Sequence, residues 1–416
     1  MQISTILVSG ILAYYYSLDN FIYFNDFIYM SNGKSLYKLY ATFLFFLCSI
    51  LFTRSTKYKK EYFVILNLSL LFSYILISSN DFITMLISIE GLTMSLAVLI
   101  ATNLTAQGIE ASIKYIFVSI LGSGFICLSL CLLYSQIGSL SFVDVYWAYH
   151  YEHVLKASKL FFPFLVLVLG FTVKLAVFPA YFFIADVSEG ASVRVFSFLN
   201  VFSKLPIFIS LLEMYVIFSP YVSYQFFFYI GIASFFFGAI STLMQKKIAR
   251  ILAFASVNQI GLVFIGFSTE SNTCIKLSFL YFFFYCLMLY KFCYILENTI
   301  LIGAGRRVVY MTDLFYFYNS RHTASVLSTL LDFGGFPPSI LFLGKLGIIF
   351  FLVFCGYTSY AFVVLFFSLI STFYYLRLIK NLYFYLQTTI VLSKIREDWL
   401  FGIIYIFEML LFYFLV

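Results

Sequence analysis

Two lysines stand in neighbouring apolar runs of the stretch 159–218: Lys174 in the first and Lys204 in the second, each far from the ends of its run. A charged side chain near the centre of a bilayer costs roughly 2.5–3.5 kcal/mol on insertion scales, and far more without partners or water. A third lysine, Lys345, follows the sequence GGFPP at 334–338, and Glu90 lies within the apolar run 82–102, roughly 12 Å along a helix from its start. Amines and carboxyls in such places suit proton transfer. Burial disfavours the charged form of either group, while an opposed pair favours it, so the two titrate as a unit. Separating them lowers the amine's hold on its proton, and that is a usable switch. The expected pair is Glu90 with Lys174, with Lys204 next along and Lys345 in the other half of the chain.

The surrounding sequence fixes what must position these groups. Hydrophobic residues make up 63% of the 416 residues and charged ones only 10%, against about a quarter charged in a soluble domain. The chain is therefore expected to be an all-α polytopic membrane protein. A transmembrane β-barrel is excluded, because its strands would read as alternating segments of about 10 residues and not as continuous apolar runs. About thirteen spans are predicted, near 1–17, 39–53, 62–79, 82–102, 114–136, 159–183, 194–218, 222–244, 250–268, 276–302, 324–356, 358–377 and 399–416. Pro179 is expected to break the span holding Lys174 and to free backbone carbonyls beside its ammonium group. Pro337 and Pro338 interrupt the run holding Lys345. The two breaks lie on opposite sides of their lysines, as two inverted five-helix repeats would require. The expected organisation is 1–60 as N-terminal helices, 62–218 and 222–377 as the two repeats, and 378–416 as a loop and final helix.

Loop charges orient this map. Even-numbered loops hold Arg54, Lys57, Lys59, Lys60, Lys114, Arg194, Lys246, Lys247, Arg250, Arg306, Arg307, Arg321, Arg377, Lys380, Lys394 and Arg396. Odd-numbered loops hold only Lys34, Lys38, Lys156, Lys159 and Lys276. The positive-inside bias places the N-terminus and the even loops on the cytoplasmic or matrix side, and the C-terminus opposite. With the cations spread among short loops, the net charge of +7 is no signal for nucleic acid.

Plainer roles compete for several residues. Any one lysine within a span can snorkel to the interface, a reading that weighs most for the extra lysine, Lys291. Glu213, Glu297 and Glu408 read as helix-end or inter-subunit residues, and Asp332 as a cap of the broken helix. His150, His153 and His322 fall in loops. The 7 cysteines are scattered, without a metal or disulfide spacing. No GxGxxG, Walker loop or cysteine ladder is present, so no nucleotide or redox centre is expected in the chain.

In this order the motifs resemble the antiporter-like membrane subunits of respiratory NADH:quinone oxidoreductase (complex I), over about residues 62–400. SSNDFITMLISIEGLTMSLAVLIA (78–101) is similar to the glutamate-bearing helix, with Glu90 at the glutamate, and EASIKYIFVSILGSGF (110–125) to the helix after it. Lys174 in FTVKLAVFPAYFFIADVSEGA and Lys204 in FSKLPI fall at the lysines of the broken helix and its successor. QKKIARILAFASVNQIG (245–261) resembles the basic turn and following helix, and GFPPSILFLGK (335–345) puts Lys345 at the lysine of the second broken helix. The lysine at 345 and the ending at Val416 fit the chain 2 branch better than its sister types.

The resemblance implies a proton-translocating module without a catalytic centre. Glu90 would set the charge state of Lys174, Lys204 would connect, and Lys345 would exchange toward the neighbouring module. NADH, FMN, Fe–S clusters and ubiquinone would be bound by other subunits, so no cofactor is expected in this chain. Its partners would be other membrane-arm subunits and membrane lipids. The abundance of Phe (56) and Tyr (35) beside 2 Trp fits an A+T-rich organellar genome, hence the mitochondrial inner membrane, with a bacterial cytoplasmic membrane as the alternative. The sequence departs from the family at Ala191-Ser192-Val193, where proline is usual. The competing readings are a subunit of a stand-alone cation/proton antiporter and a structural membrane-assembly protein.

Overall fold

The computed structural model describes residues 21–23, 27–53, 59–151, 157–218, 224–269, 271–301, 308–316, 320–337, 339–383 and 393–394. The expected spans at 1–17 and 399–416 lie outside these residues, as do His153, Glu408 and several loop cations. The chain divides into two compact units, Met1–Ser223 and Tyr224–Val416.

The first unit opens with a short hairpin, β1 (Phe21–Tyr23) and β2 (Ile28–Met30), and continues through helices α1 (Asn32–Thr53), α2 (Lys59–Ser78), α3 (Phe82–Ala101) and α4 (Ala106–Ile137). After a short helix α5 (Phe142–Tyr151) come α6 (Ala157–Leu175), α7 (Phe183–Gly190), α8 (Val193–Ser197), a π-helical turn (Phe198–Phe202) and α9 (Lys204–Phe218). The second unit contains α10 (Tyr224–Met244), α11 (Ile248–Phe267), α12 (Asn272–Asn298), a 3₁₀ turn (Met311–Tyr316), α13 (Ser320–Gly334), α14 (Ile340–Phe354) and α15 (Thr358–Tyr383). Its short strands β3 (Ile300–Leu301) and β4 (Ser393–Lys394) pair antiparallel. The two small sheets are a departure from the all-helical expectation.

Among the described residues, 9 helices are long and apolar enough to cross a membrane, so the protein is a mostly helical, multi-pass membrane protein. Where lipid replaces water, every backbone group must be satisfied within the protein, and helices do this locally. Buried hydroxyls follow the same rule by donating to the turn behind them: Ser69 to the carbonyl of Leu66 at 2.6 Å, Ser88 to Met85 at 2.8 Å, Ser129 to Ile126 at 2.6 Å. Outward faces are apolar too. Phe362, Phe366, Leu369 and Phe373 of α15 are exposed in one stripe, as are Ile113, Phe117, Ile120 and Leu121 of α4. A stripe of this kind is a liability in water and a matched surface in hydrocarbon.

Two expected runs are interrupted and one boundary moves. The run 159–183 stops being helical at Leu175, and 324–356 divides into α13 and α14 at Gly335–Pro337. The run 39–53 is preceded by about two further turns, so α1 begins at Asn32 and encloses Lys34 and Lys38, which the sequence places in a loop. Lysine stems are long enough to line an apolar interface while the ammonium finds a partner, so hydropathy alone misplaces such residues.

One end of the first unit is knit by backbone bonds. Asn80 N–H donates to Phe27 at 3.0 Å, Phe142 N–H to Asn80 at 3.0 Å, and Phe82 N–H to Leu140 at 3.1 Å. The ring of Phe218, closing α9, packs edge-on against Tyr149 with centroids 4.5 Å apart. The hairpin, the α2–α3 turn, the α4–α5 connection and the end of α9 therefore meet there.

Candidate functional site

Glu90 sits on α3 between its buried face, with Ser88, Ile89 and Leu92, and a face that exposes Ile83, Ile87 and Met94. Lys174 occupies the last turn of α6, and its side chain is 1% exposed. Their charged ends meet: Lys174 Nζ lies 3.6 Å from Glu90 Oε1. That is an ion-pair contact, longer than a good hydrogen bond. Among the described residues Lys174 Nζ has no hydrogen-bond partner. The stem reaches the carboxylate by running against α4, where a Cβ on Gly122 would come within 3.3 Å of Lys174 Cε and 3.0 Å of Val173.

The break after Lys174 works differently from the expectation. Ala176 turns the chain with φ 56°, Ala176 N–H donates to Val173 at 3.1 Å, and Val177 N–H donates to Thr172 at 2.9 Å. These bonds take up carbonyls that the end of the helix would have left open, and among the described residues no carbonyl is a hydrogen-bond partner of the Lys174 ammonium. The carboxylate of Glu90 is the polar group that faces it instead.

Beyond the break, α7 leads to Ser192, whose Oγ accepts from Val195 N–H at 3.4 Å and caps α8. Serine thus opens this short helix. The helix then widens into the π turn, where Ser203 N–H bonds back five residues to Phe198 at 3.2 Å. Lys204 is the first residue of α9 and is 3% exposed. A π turn inserts one residue and re-aims the side chains beyond it; no sequence signal announced it.

Lys345 belongs to the second unit and has a different environment. Its Nζ is 3.4 Å from the carbonyl oxygens of both Phe333 and Gly334, the last residues of α13. In this half the break does leave carbonyls beside the ammonium. Gln259 of α11 donates to the same Phe333 oxygen at 3.5 Å and accepts from the Tyr281 hydroxyl. Asn258 Nδ2 donates to the Tyr374 hydroxyl at 3.2 Å. Lys345 therefore sits in a buried amide and phenol network, and Lys174 opposite a carboxylate. Lys291 of α12 is 1% exposed, so it is enclosed within the protein and does not snorkel to its surface.

The structure also joins residues that sequence reasoning kept apart. Lys34 Nζ lies 3.1 Å from Glu213 Oε1 and donates to the Ser79 carbonyl at 2.8 Å. Lys38, one turn deeper in α1, is 2% exposed. The available signal was Glu213 itself, a carboxyl inside an apolar run with no complement assigned. Among the described residues no group of three or more His, Cys, Asp or Glu stands close enough to hold a metal ion.

A buried amine facing a carboxylate at one interrupted helix, and a second buried amine on the carbonyls of another, mark a class of membrane protein that moves charge through its interior. A family model described as "NADH:quinone oxidoreductase/Mrp antiporter, TM" matches residues 79–372, and the chain belongs to this family. It is 27% identical over 390 residues to NADH-ubiquinone oxidoreductase chain 2 of Arabidopsis thaliana, covering 90% of this chain and 74% of that one. It is 30% identical over 338 residues to NADH-quinone oxidoreductase subunit N of Paramagnetospirillum magneticum, covering 78% and 68%. In fold it resembles a chain of respiratory complex I from Thermus thermophilus with a TM-score of 0.82 at 20% identity, over 100% of this chain and 90% of that chain. A chain of the Mrp complex from Dietzia sp. aligns with a TM-score of 0.80 at 16% identity, over 93% and 74%.

Proposed function

We propose that this chain is a proton-translocating, antiporter-like subunit of the membrane arm of an NADH:ubiquinone oxidoreductase. The observation that carries the reading is the Glu90–Lys174 pair, held at 3.6 Å beside the break that ends α6. Family membership and the similarity to chain 2 and subunit N relatives support it. The proposed setting is the mitochondrial inner membrane, with about thirteen spans in two inverted five-helix repeats and the N-terminus on the matrix side. The other membrane-arm subunits and lipids are its partners. Electron transfer belongs to the NADH, FMN, Fe–S and ubiquinone sites of other subunits.

The chemistry assigned to this chain is proton movement. With Glu90 ionised, its carboxylate favours the ammonium form of Lys174. When a charge rearrangement in the complex draws Glu90 away or neutralises it, Lys174 is left buried without a counter-charge and gives up its proton. Lys204 receives it, and Lys345 exchanges protons toward the neighbouring module. When Glu90 returns ionised, Lys174 takes up a new proton and the cycle closes.

Native electrophoresis of membranes carrying a tagged copy of the chain tests the assignment. Migration in one very large complex that stains for NADH dehydrogenase activity and contains flavin and Fe–S subunits is the expected result. A tagged chain found only in smaller assemblies lacking those subunits would overturn it.

A further inference from the structure

The Glu90–Lys174 pair is not the only ion pair in the interior of the first unit. Lys34 and Glu213 meet at 3.1 Å with side chains 13% and 19% exposed. Glu213 Oε2 is buried and has no hydrogen-bond partner among the described residues. Behind this half-open pair, Lys38 is almost sealed. Its Nζ lies 2.8 Å from Met30 Sδ and 5.9 Å from the centre of the Tyr74 ring. An ammonium group presents three donors, and a thioether is a weak acceptor. One sulfur and one aromatic face therefore leave a buried ammonium poorly solvated, while a neutral amine fits the same space. The cluster thus holds an outer pair that water can approach, an inner amine, and a carboxylate oxygen with room for a proton.

Tyr29 of β2 faces Lys34 at 5.8 Å, Tyr37 lies within electrostatic reach of Glu213 and Tyr40, Tyr74 faces Lys38, and Asp81 stands in the adjoining α2–α3 turn. Glu213 follows Lys204 on α9 by nine residues, about 13 Å along the axis and half a turn round it. The two side chains leave opposite faces of one buried helix. The cluster is therefore a separate feature and not the next member of the Glu90–Lys174–Lys204 set, yet charges at that spacing still sense each other through a poorly screened interior.

We propose that Lys34, Glu213 and Lys38 form a second proton-exchanging cluster, opening at the end of the unit where the hairpin and the α2–α3 turn meet. A proton from water protonates Glu213 and breaks its ion pair. Lys34, which keeps its bond to Ser79, then passes its own proton to the amine of Lys38 one turn along α1. Return of that proton from Lys38 to Lys34, and of the other from Glu213 to water, restores the pair. The role rests on the pumping function proposed above.

The alternative is a clamp between α1 and α9, and the two differ in what apolar replacement does. A buried ion pair that only holds helices together can be replaced by packed hydrophobic residues at little cost. The test measures protons translocated per NADH oxidised by the whole complex in sealed vesicles, for Lys34→Met/Glu213→Leu, Glu213→Gln, Lys38→Met and Glu90→Gln. A fall in proton yield of about twofold or more in the first three, with the complex assembled, is expected, since a proton-transfer group commonly contributes well above that. Should the double variant fail to assemble, Glu213→Gln, which keeps the volume, decides by the same readout. Unchanged yield in these three with a loss in Glu90→Gln would overturn this cluster alone. Unchanged yield in all four, Glu90→Gln included, would overturn the pumping function and the cluster with it.

Discussion

Gly335 and Lys345 hold each other in place. Gly335 has φ +71°, and a Cβ built on it would come within 3.0 Å of Lys345 Nζ and 3.1 Å of Lys345 Cδ. The turn that ends α13 therefore needs a residue without a side chain twice over: once for its left-handed backbone, and once to let the amine reach the carbonyls of Phe333 and Gly334.

Gly335→Ala is expected to lose about 1–2 kcal/mol from the left-handed conformation alone. The amine is also displaced from its carbonyls. Thermal unfolding of the purified complex should report the first effect and proton yield the second. An alanine variant with both unchanged would show that the turn has another way to relax.

Close packing between α4 and α6 sets the stem of Lys174. A Cβ on Gly170 would meet Ile126 Cγ1 at 2.5 Å and the Gly122 carbonyl at 2.9 Å, whereas nothing lies within 4 Å of one on Gly124. Gly170→Ala is expected to cost about 1–3 kcal/mol by overpacking, with Gly124→Ala close to neutral. Comparing the amounts of assembled complex and its thermal midpoint for the two variants checks this.

The polar network around Lys345 makes a prediction about a single oxygen. Tyr281→Phe removes the donor to Gln259 Oε1. Leaving a buried acceptor unsatisfied costs about 1–3 kcal/mol. Tyr281→Phe/Gln259→Leu removes both partners and should be less harmful to stability than the single change. A double variant clearly less stable than Tyr281→Phe would place the role of Gln259 outside this bond.

Much of the architecture is written in hydropathy: apolar runs long enough for a bilayer, and prolines within or beside the runs that carry Lys174 and Lys345. What escaped was geometry that depends on partners. Lys34 and Lys38 read as loop cations because a window average cannot distinguish a lysine at a helix start from one in a loop, and the partners of Lys34, Ser79 and Glu213, lie far along the chain. The π turn before Lys204 is fully buried, and nothing in FLNVF specifies it. Pro179 marked a break correctly, but whether the carbonyls would be left for the ammonium depended on Ala176 and Val177 folding back onto Val173 and Thr172. Glu90 and Lys174 were recognisable as a pair only because both are costly in hydrocarbon. Lys114, by contrast, is paired with Asp186 at 3.1 Å and Glu110 at 2.8 Å on a surface where all three are exposed. Such pairs contribute little, so Lys114→Gln is expected to leave assembly and proton yield unchanged.

The central claim is that the carboxylate of Glu90 governs the proton on Lys174. Its most direct test is the number of protons translocated per NADH oxidised by the assembled complex in sealed vesicles, measured for Glu90→Gln, Lys174→Met and the double variant. The account predicts that both single changes lower the yield and that the double variant is no worse than Lys174→Met, because the two residues act as one unit. Full yield in Glu90→Gln and Lys174→Met, with normal assembly, would contradict it.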